Sequence, residues 1–244
     1  MKVPEEKPQQ EASASGKTPL PRRVVVAEVF LLAGAVLAAA AAPLVGASVG
    51  PLRLDHPVIL TALLLYLPFV PYAQRRIELQ DLGLGPQDFS KSLIMTLKAA
   101  FFVFPPFVLF WYVAGGARLG IPPPRPLEVP FPFDPAEWAG VVATQFLSIA
   151  IPEEWFFRGY LQHRLAGLFP RRIGWRSLSL PVGAILGSFL FALAHALRYG
   201  TALRLNVFFP SLLFAWARDR GGHLAGPVLL HAGANLLMRA LSAP

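Results

Sequence analysis

Along the chain, apolar residues gather into blocks of about twenty, separated by short polar stretches. None of the blocks alternates apolar and polar positions at the period of two that marks a half-buried strand. At ~1.5 Å rise per residue, a helix of that length crosses a hydrocarbon layer of ~30 Å. The pattern predicts seven spans: Val24–Ala42, Pro57–Ala73, Leu93–Ala114, Glu137–Phe157, Leu178–Leu197, Ala202–Ala217 and Leu224–Leu241. Backbone polar groups in lipid are satisfied only within helices or closed barrels, so the expected fold is all-α, a polytopic transmembrane helix bundle.

Punctuation divides the chain further. Residues 1–23 are rich in Pro, Glu, Lys, Gln and Ser and hold no apolar run, so they read as a disordered tail. The block at Val24 is long enough to be a retained first span rather than a cleaved signal peptide. Residues 116–136 hold the densest run of proline, including Pro122, Pro123, Pro124 and Pro126, and read as an extended connector. It separates three front helices, over 24–115, from a four-helix core over 137–244. The fourth helix has no proline between Trp155 and Phe169, so it is expected to run on to about Phe169. Glu153 and His195 then come level, each about 25 Å from the turn that joins their helices.

Composition agrees with a lipid-solvated chain: 55% of residues are hydrophobic and 15% charged, against roughly a quarter charged in a soluble domain. The absence of cysteine removes disulfides, thiolate metal sites and cysteine nucleophiles. A net charge of +8 invites nucleic acid, but the Lys and Arg residues sit in short loops beside apolar blocks. They read as topology signals, and no nucleic-acid partner is expected. Fifteen of them fall on the side of the N-terminus and six on the other, so the positive-inside rule predicts a cytoplasmic N-terminus.

Charged residues within apolar spans are costly and mark function. The fourth span holds Glu153 and Glu154 side by side. Arg158 lies four residues after Glu154, on the same helical face, where an ion pair fixes that carboxylate. Glu153 is rotated about 100° away and lacks that partner, which suits a general base that takes a proton from water. A plainer reading has the pair capping a helix end, with Arg158 snorkelling to the interface. The fifth span adds His195, one turn after Phe191; the seventh adds His231 and Asn235 on one face. Two histidines, an asparagine and a double glutamate on three spans are poorly explained as independent packing residues.

The ordered set Glu-Glu-x-x-x-Arg, Phe-x-x-x-His and His-x-x-x-Asn resembles the CPBP family, which includes the type II CAAX prenyl endopeptidases. Phe157-Arg158-Gly159-Tyr160-Leu161 adds to the likeness, which covers Glu137 to the C-terminus. The resemblance implies a peptidase that cleaves near the C-terminus of membrane-anchored protein substrates, with membrane lipid as its solvent. Glu153 would activate water with His195, His231 and Asn235 would stabilise the oxyanion, and Glu154 with Arg158 would hold the site together. Glu153, His195 and His231 equally suit a catalytic zinc ion with an open water position. The run around the glutamates also resembles myxosortase-like sorting proteases, and the Ala, Arg, Pro and Gly richness suggests a bacterial inner membrane.

Other intramembrane proteases are disfavoured by missing motifs: no His-Glu-x-x-His, no Gly-x-Ser-Gly and no aspartate inside a span. The rivals are a non-enzymatic protein of the same fold, such as a bacteriocin-immunity protein or scaffold, and a transporter using the carboxylates as a proton relay. Glu28 reads as a structural residue reaching the interface from the first span.

Overall fold

The computed structural model of the protein describes residues 20–46, 48–49, 52–53, 56–114 and 135–242. The expected tail up to residue 19 and the proline-rich connector up to residue 134 lie outside them. Within them, helices stand at each of the seven expected spans, and the only β structure among these residues is two short antiparallel ladders at turns.

The front part begins with α1 (Arg22–Val45), which takes Arg22 and Arg23 into its first turn rather than leaving them in the tail. Gly46 and Gly200 adopt φ of 58° and 64° just beyond the ends of two long helices, a left-handed conformation that costs least without a Cβ. The second span is broken into α2 (Pro57–Tyr66) and α3 (Phe69–Ala73), because Pro68 has no N–H to continue the ladder. The Trp155 indole donates to the Leu65 carbonyl next to this break, at 3.1 Å. α4 (Phe89–Ala114) buries little and turns Leu97, Phe101 and Phe102 outward, as a lipid-facing helix must.

The fourth span is the axis of the molecule. We call residues 135–168 α5; it runs as one rod through Pro135–Ala143, Thr144–Ala150, Ile151–Glu154, Trp155–Leu161 and Gln162–Leu168. The second and fourth of these segments are wound as π-helix, which sequence periodicity does not reveal. Pro152 lacks the N–H that would bond the Ser148 carbonyl, and its ring crowds that carbonyl; a widened turn just before it relieves both. The rod therefore survives its internal proline.

α6 (Val182–Tyr199) returns antiparallel to α5, then a 3₁₀ stretch (Ala202–Val207) leads into α7 (Phe208–Gly221) and α8 (Ala225–Ser242). The sixth span is thus a short helix of 14 residues, ~21 Å long, and not the continuous rod over Ala202–Ala217 that hydropathy suggests. Among the described residues, three helical stretches are long and apolar enough to cross a membrane by themselves: Arg22–Val45, Phe89–Val113 and Val182–Tyr199. The protein is an integral membrane protein with an all-α helical bundle.

α6 packs on α1, on the last turns of α5 and on α7, and α8 packs on α4 and α7. At the α5–α6 contact, a Cβ placed on Gly183 would fall on the Leu165 backbone, whereas one on Gly187 would meet only ordinary contacts at 3.9 Å. Small residues let two helices approach this closely in lipid. Gly183→Ala should lower stability by about 3 kcal/mol, the upper range of overpacking costs. Gly187→Ala should be nearly neutral. Thermal unfolding of the two purified variants checks the pair, and equal melting temperatures would refute the close approach.

Glu28 corrects the reading that it reaches the interface. It is 8% exposed and accepts from Arg164 Nε at 3.0 Å, Tyr160 Oη at 3.1 Å and Arg76 Nη1 at 3.5 Å. The front helix is thereby tied to the rod that carries the glutamates.

Candidate active site

Glu153 and Glu154 sit in the short α-helical piece between the two π segments. Glu154 is fully buried and receives Arg158 Nε at 3.0 Å, one turn along the same face. Arg158 is itself 2% exposed. Its Nη2 donates to the Ser211 hydroxyl at 2.8 Å and carbonyl at 3.3 Å. Its guanidinium lies 4.4 Å from the centre of the Phe191 ring and 5.4 Å from that of Phe214, which adds cation–π attraction where water is excluded. Snorkelling to the interface is excluded by this burial; Arg158 points inward, held at Nε and Nη2, with Nη1 buried and without a hydrogen-bond partner.

Glu154 also accepts from His231. The His231 Nδ1 lies 2.8 Å from Glu154 Oε1, and its ring stacks on Phe214 at 5.0 Å. A carboxylate accepts only, so Nδ1 donates, and it is the neutral form of the ring that would present a lone pair at Nε2. His195 is arranged alike: its Nδ1 lies 3.1 Å from the Phe191 carbonyl, another pure acceptor, which leaves its Nε2 lone pair outward.

Both Nε2 atoms stand near one oxygen. His195 Nε2 stands 3.9 Å and His231 Nε2 3.8 Å from Glu153 Oε2, too far for direct hydrogen bonds. That carboxylate oxygen is buried and has no hydrogen-bond partner. Three acceptors thus stand near one another, and one water, with two protons to give, could serve two of them, the carboxylate and one imidazole. Beside them a cleft of ≈ 50 Å³ is lined by Glu153, His195 and Phe157, with Val36 from α1 and Leu60 and Leu64 from α2. That is room for a water beside a reacting group.

The long α5 makes the meeting possible. Glu153 is ~22 Å before the end of α5 at Leu168, and His195 ~20 Å after the start of α6 at Val182. The two come level across an antiparallel pair. Asn235, one turn beyond His231, is placed differently: its Nδ2 donates to Gln145 Oε1 at 3.0 Å, in the first π segment. Of the six residues singled out in the sequence, five share one cluster, and Asn235 bonds Gln145 instead.

A zinc ion would need closer spacing of the same atoms. Ligands about 2.1 Å from one tetrahedral ion stand about 3.4 Å apart, whereas here the nitrogens lie 3.8 and 3.9 Å from the carboxylate oxygen. Among the described residues, no group of three or more His, Cys, Asp or Glu side chains is arranged to hold a metal ion. As placed, both imidazole nitrogens stand wider from Glu153 Oε2 than two ligands of one tetrahedral ion do.

Sequence reasoning missed Gln145, Ser211 and Phe214. Each is an isolated polar or aromatic residue in an apolar stretch, with no partner at helical spacing to signal it. Gln145 alone carried a usable sign, as an amide inside a span two turns before the glutamates. The cleft wall from α1 and α2 was equally silent, since Val36, Leu60 and Leu64 resemble any lipid-facing residues.

Residues 135–237 match the family model described as type II CAAX prenyl endopeptidase, Rce1-like. No curated protein and no solved structure matches the chain. The matched region runs from the first residue of α5 to just beyond Asn235, so it takes in every residue of the cluster and leaves out the front helices. Over these residues the chain is similar to the type II CAAX prenyl endopeptidases of the CPBP family, in line with the resemblance its ordered motifs carry.

Proposed function

We propose that the protein hydrolyses a peptide bond near the C-terminus of membrane-anchored protein substrates, using a water activated by Glu153. The observation that carries this reading is the approach of two histidine Nε2 atoms to the partnerless Glu153 oxygen. The family implies an intramembrane endopeptidase; the atoms suggest how this one works. Water gives one proton to Glu153 Oε2 and points the other at a histidine Nε2, which turns its free lone pair toward the substrate carbonyl. As the new C–O bond forms, the carbonyl oxygen becomes an oxyanion. Glu153 then returns the proton to the leaving amine, and the C–N bond breaks.

Oxyanion stabilisation falls to Asn235. Its amide has two N–H groups, and Gln145 takes only one. The second is free to point where charge develops, and Gln145 fixes its direction. Asn235→Ala should lower kcat about 100-fold, the loss seen when an oxyanion donor is removed. Gln145→Ala should give a smaller loss, and the double variant should be no worse than Asn235→Ala alone, because both changes remove one unit. Additive losses in steady-state kinetics would separate Gln145 from the site.

Glu154 and Arg158 act one step back, by holding His231 in the tautomer that leaves Nε2 unprotonated. The excess of Lys and Arg in the loops on the side of the N-terminus supports a cytoplasmic N-terminus, and we read the membrane as a bacterial inner one. Comparing the C-terminal peptides of membrane-anchored proteins from cells with the wild-type chain and with Glu153→Ala tests the reading. A peptide-bond cut lost in the variant supports it; identical C-termini throughout would sink it and favour a scaffold.

A further inference from the structure

A second recess, unrelated to the glutamates, opens where α1 enters the membrane. It encloses ≈ 500 Å³, in the range of small-ligand sites, and its walls are Ala27, Leu31 and Leu32 of α1 and Val70 of α3. Arg23 and Arg76 stand among its lining residues, and Arg22 and Arg75, next to them in the chain, are exposed. The carboxylate at its base, Glu28, is held by Arg164 and Tyr160 from α5, and Arg76 Nη1 reaches it only at 3.5 Å. Below the mouth, Leu31 is 72% exposed, as an acyl-chain contact would be.

An apolar channel capped by clustered arginines, at the end of a membrane helix, has the chemistry of a phospholipid with an anionic headgroup. We propose that this recess between α1 and α3 binds one anionic phospholipid, its phosphate at Arg22, Arg23, Arg75 and Arg76 and an acyl chain along Leu31 and Val70. The nearest rival within the chain is the segment of residues 1–19. Its Lys2, Lys7 and Lys17 balance Glu5, Glu6 and Glu11, so it brings no net negative charge to four arginines. A zwitterionic lipid would fill the apolar part and gain nothing at the mouth. The site does not involve Glu153, and it stands or falls separately from the peptidase reading.

Native mass spectrometry of the purified full-length chain, titrated with phosphatidylglycerol or phosphatidylcholine, tests it. Phosphatidylglycerol should bind at least tenfold more tightly, and inorganic phosphate should not displace it. The double variant Arg22→Gln/Arg23→Gln should weaken binding about thirtyfold, about fivefold for each arginine at a membrane surface. Val70→Trp fills the channel without touching charge and should also weaken it, so the site remains testable if one variant fails to fold. Equal affinity for the two lipids, or variants that bind like wild type, would overturn the proposal. Displacement by inorganic phosphate would reassign the mouth to a free anion. A tenfold gain on deleting residues 1–19 would make that segment the native occupant.

Discussion

Glu153→Gln is expected to lower kcat about 10³- to 10⁴-fold while the protein folds and binds substrate as before. Glutamine has the same length and volume, and the carboxylate it replaces has no donor to lose at Oε2. The new amide N–H can even donate to the lone pair of His195 or His231, which lie 3.9 and 3.8 Å from that oxygen. Stability should therefore stay level or rise slightly, with KM unchanged. What disappears is the acceptor for the water's proton, and the amide nitrogen takes up the space in which the water is held. Glu153→Asp keeps the base but withdraws it by about one bond, so it should fall between the two, since a misplacement of ~1 Å costs about 10²-fold. Purified wild type and the two variants, assayed on one membrane-anchored peptide, give the series. A Gln variant with wild-type kcat would remove Glu153 from the chemistry.

The parts of this site that were legible in the sequence share one property: a cost that only function or pairing explains. Two adjacent glutamates inside a span, with Arg158 one turn on, could not be lipid-facing, and the structure buries Glu154 and Arg158 almost completely. The length of α5 was legible because no proline follows Glu154 before Pro170. That in turn brought His195 level with Glu153. What stayed hidden depends on tertiary context. The π segments around Ile151–Glu154 arise where Pro152 denies a bond that the rod must accommodate, and a period of 3.6 or 4.4 cannot be told apart over seven residues. Ser211, which caps Arg158, and Phe214, which stacks on His231, lie in the sixth span, where no motif drew attention. That same span was misjudged in length, since hydropathy does not distinguish a 3₁₀ entry from the helix that follows it. Glu28 was read as interfacial because its partners Tyr160 and Arg164 are more than 130 positions away.

Arg158→Ala should be the most destabilising single change in the core, costing about 3–5 kcal/mol, because it strands a buried carboxylate. Glu154 is fully buried and would keep only the His231 N–H, while the two donors that Arg158 gives to Ser211 vanish. Arg158→Lys should recover part of this. An ammonium can reach Glu154, but it cannot serve Ser211 with a planar fork or lie flat against Phe191. The informative variant removes both charges. Glu154→Leu/Arg158→Met exchanges a buried ion pair for apolar volume, a change that often restores stability. Turnover should not return with it, since His231 would have no acceptor for Nδ1–H, its tautomer would no longer be fixed, and Nε2 would lose its aim at the water. Melting temperature and kcat should therefore part company: both low in Arg158→Ala, only kcat low in the double variant. If the double variant regains activity along with stability, Glu154 and Arg158 merely hold helices together, and His231 needs no help from them.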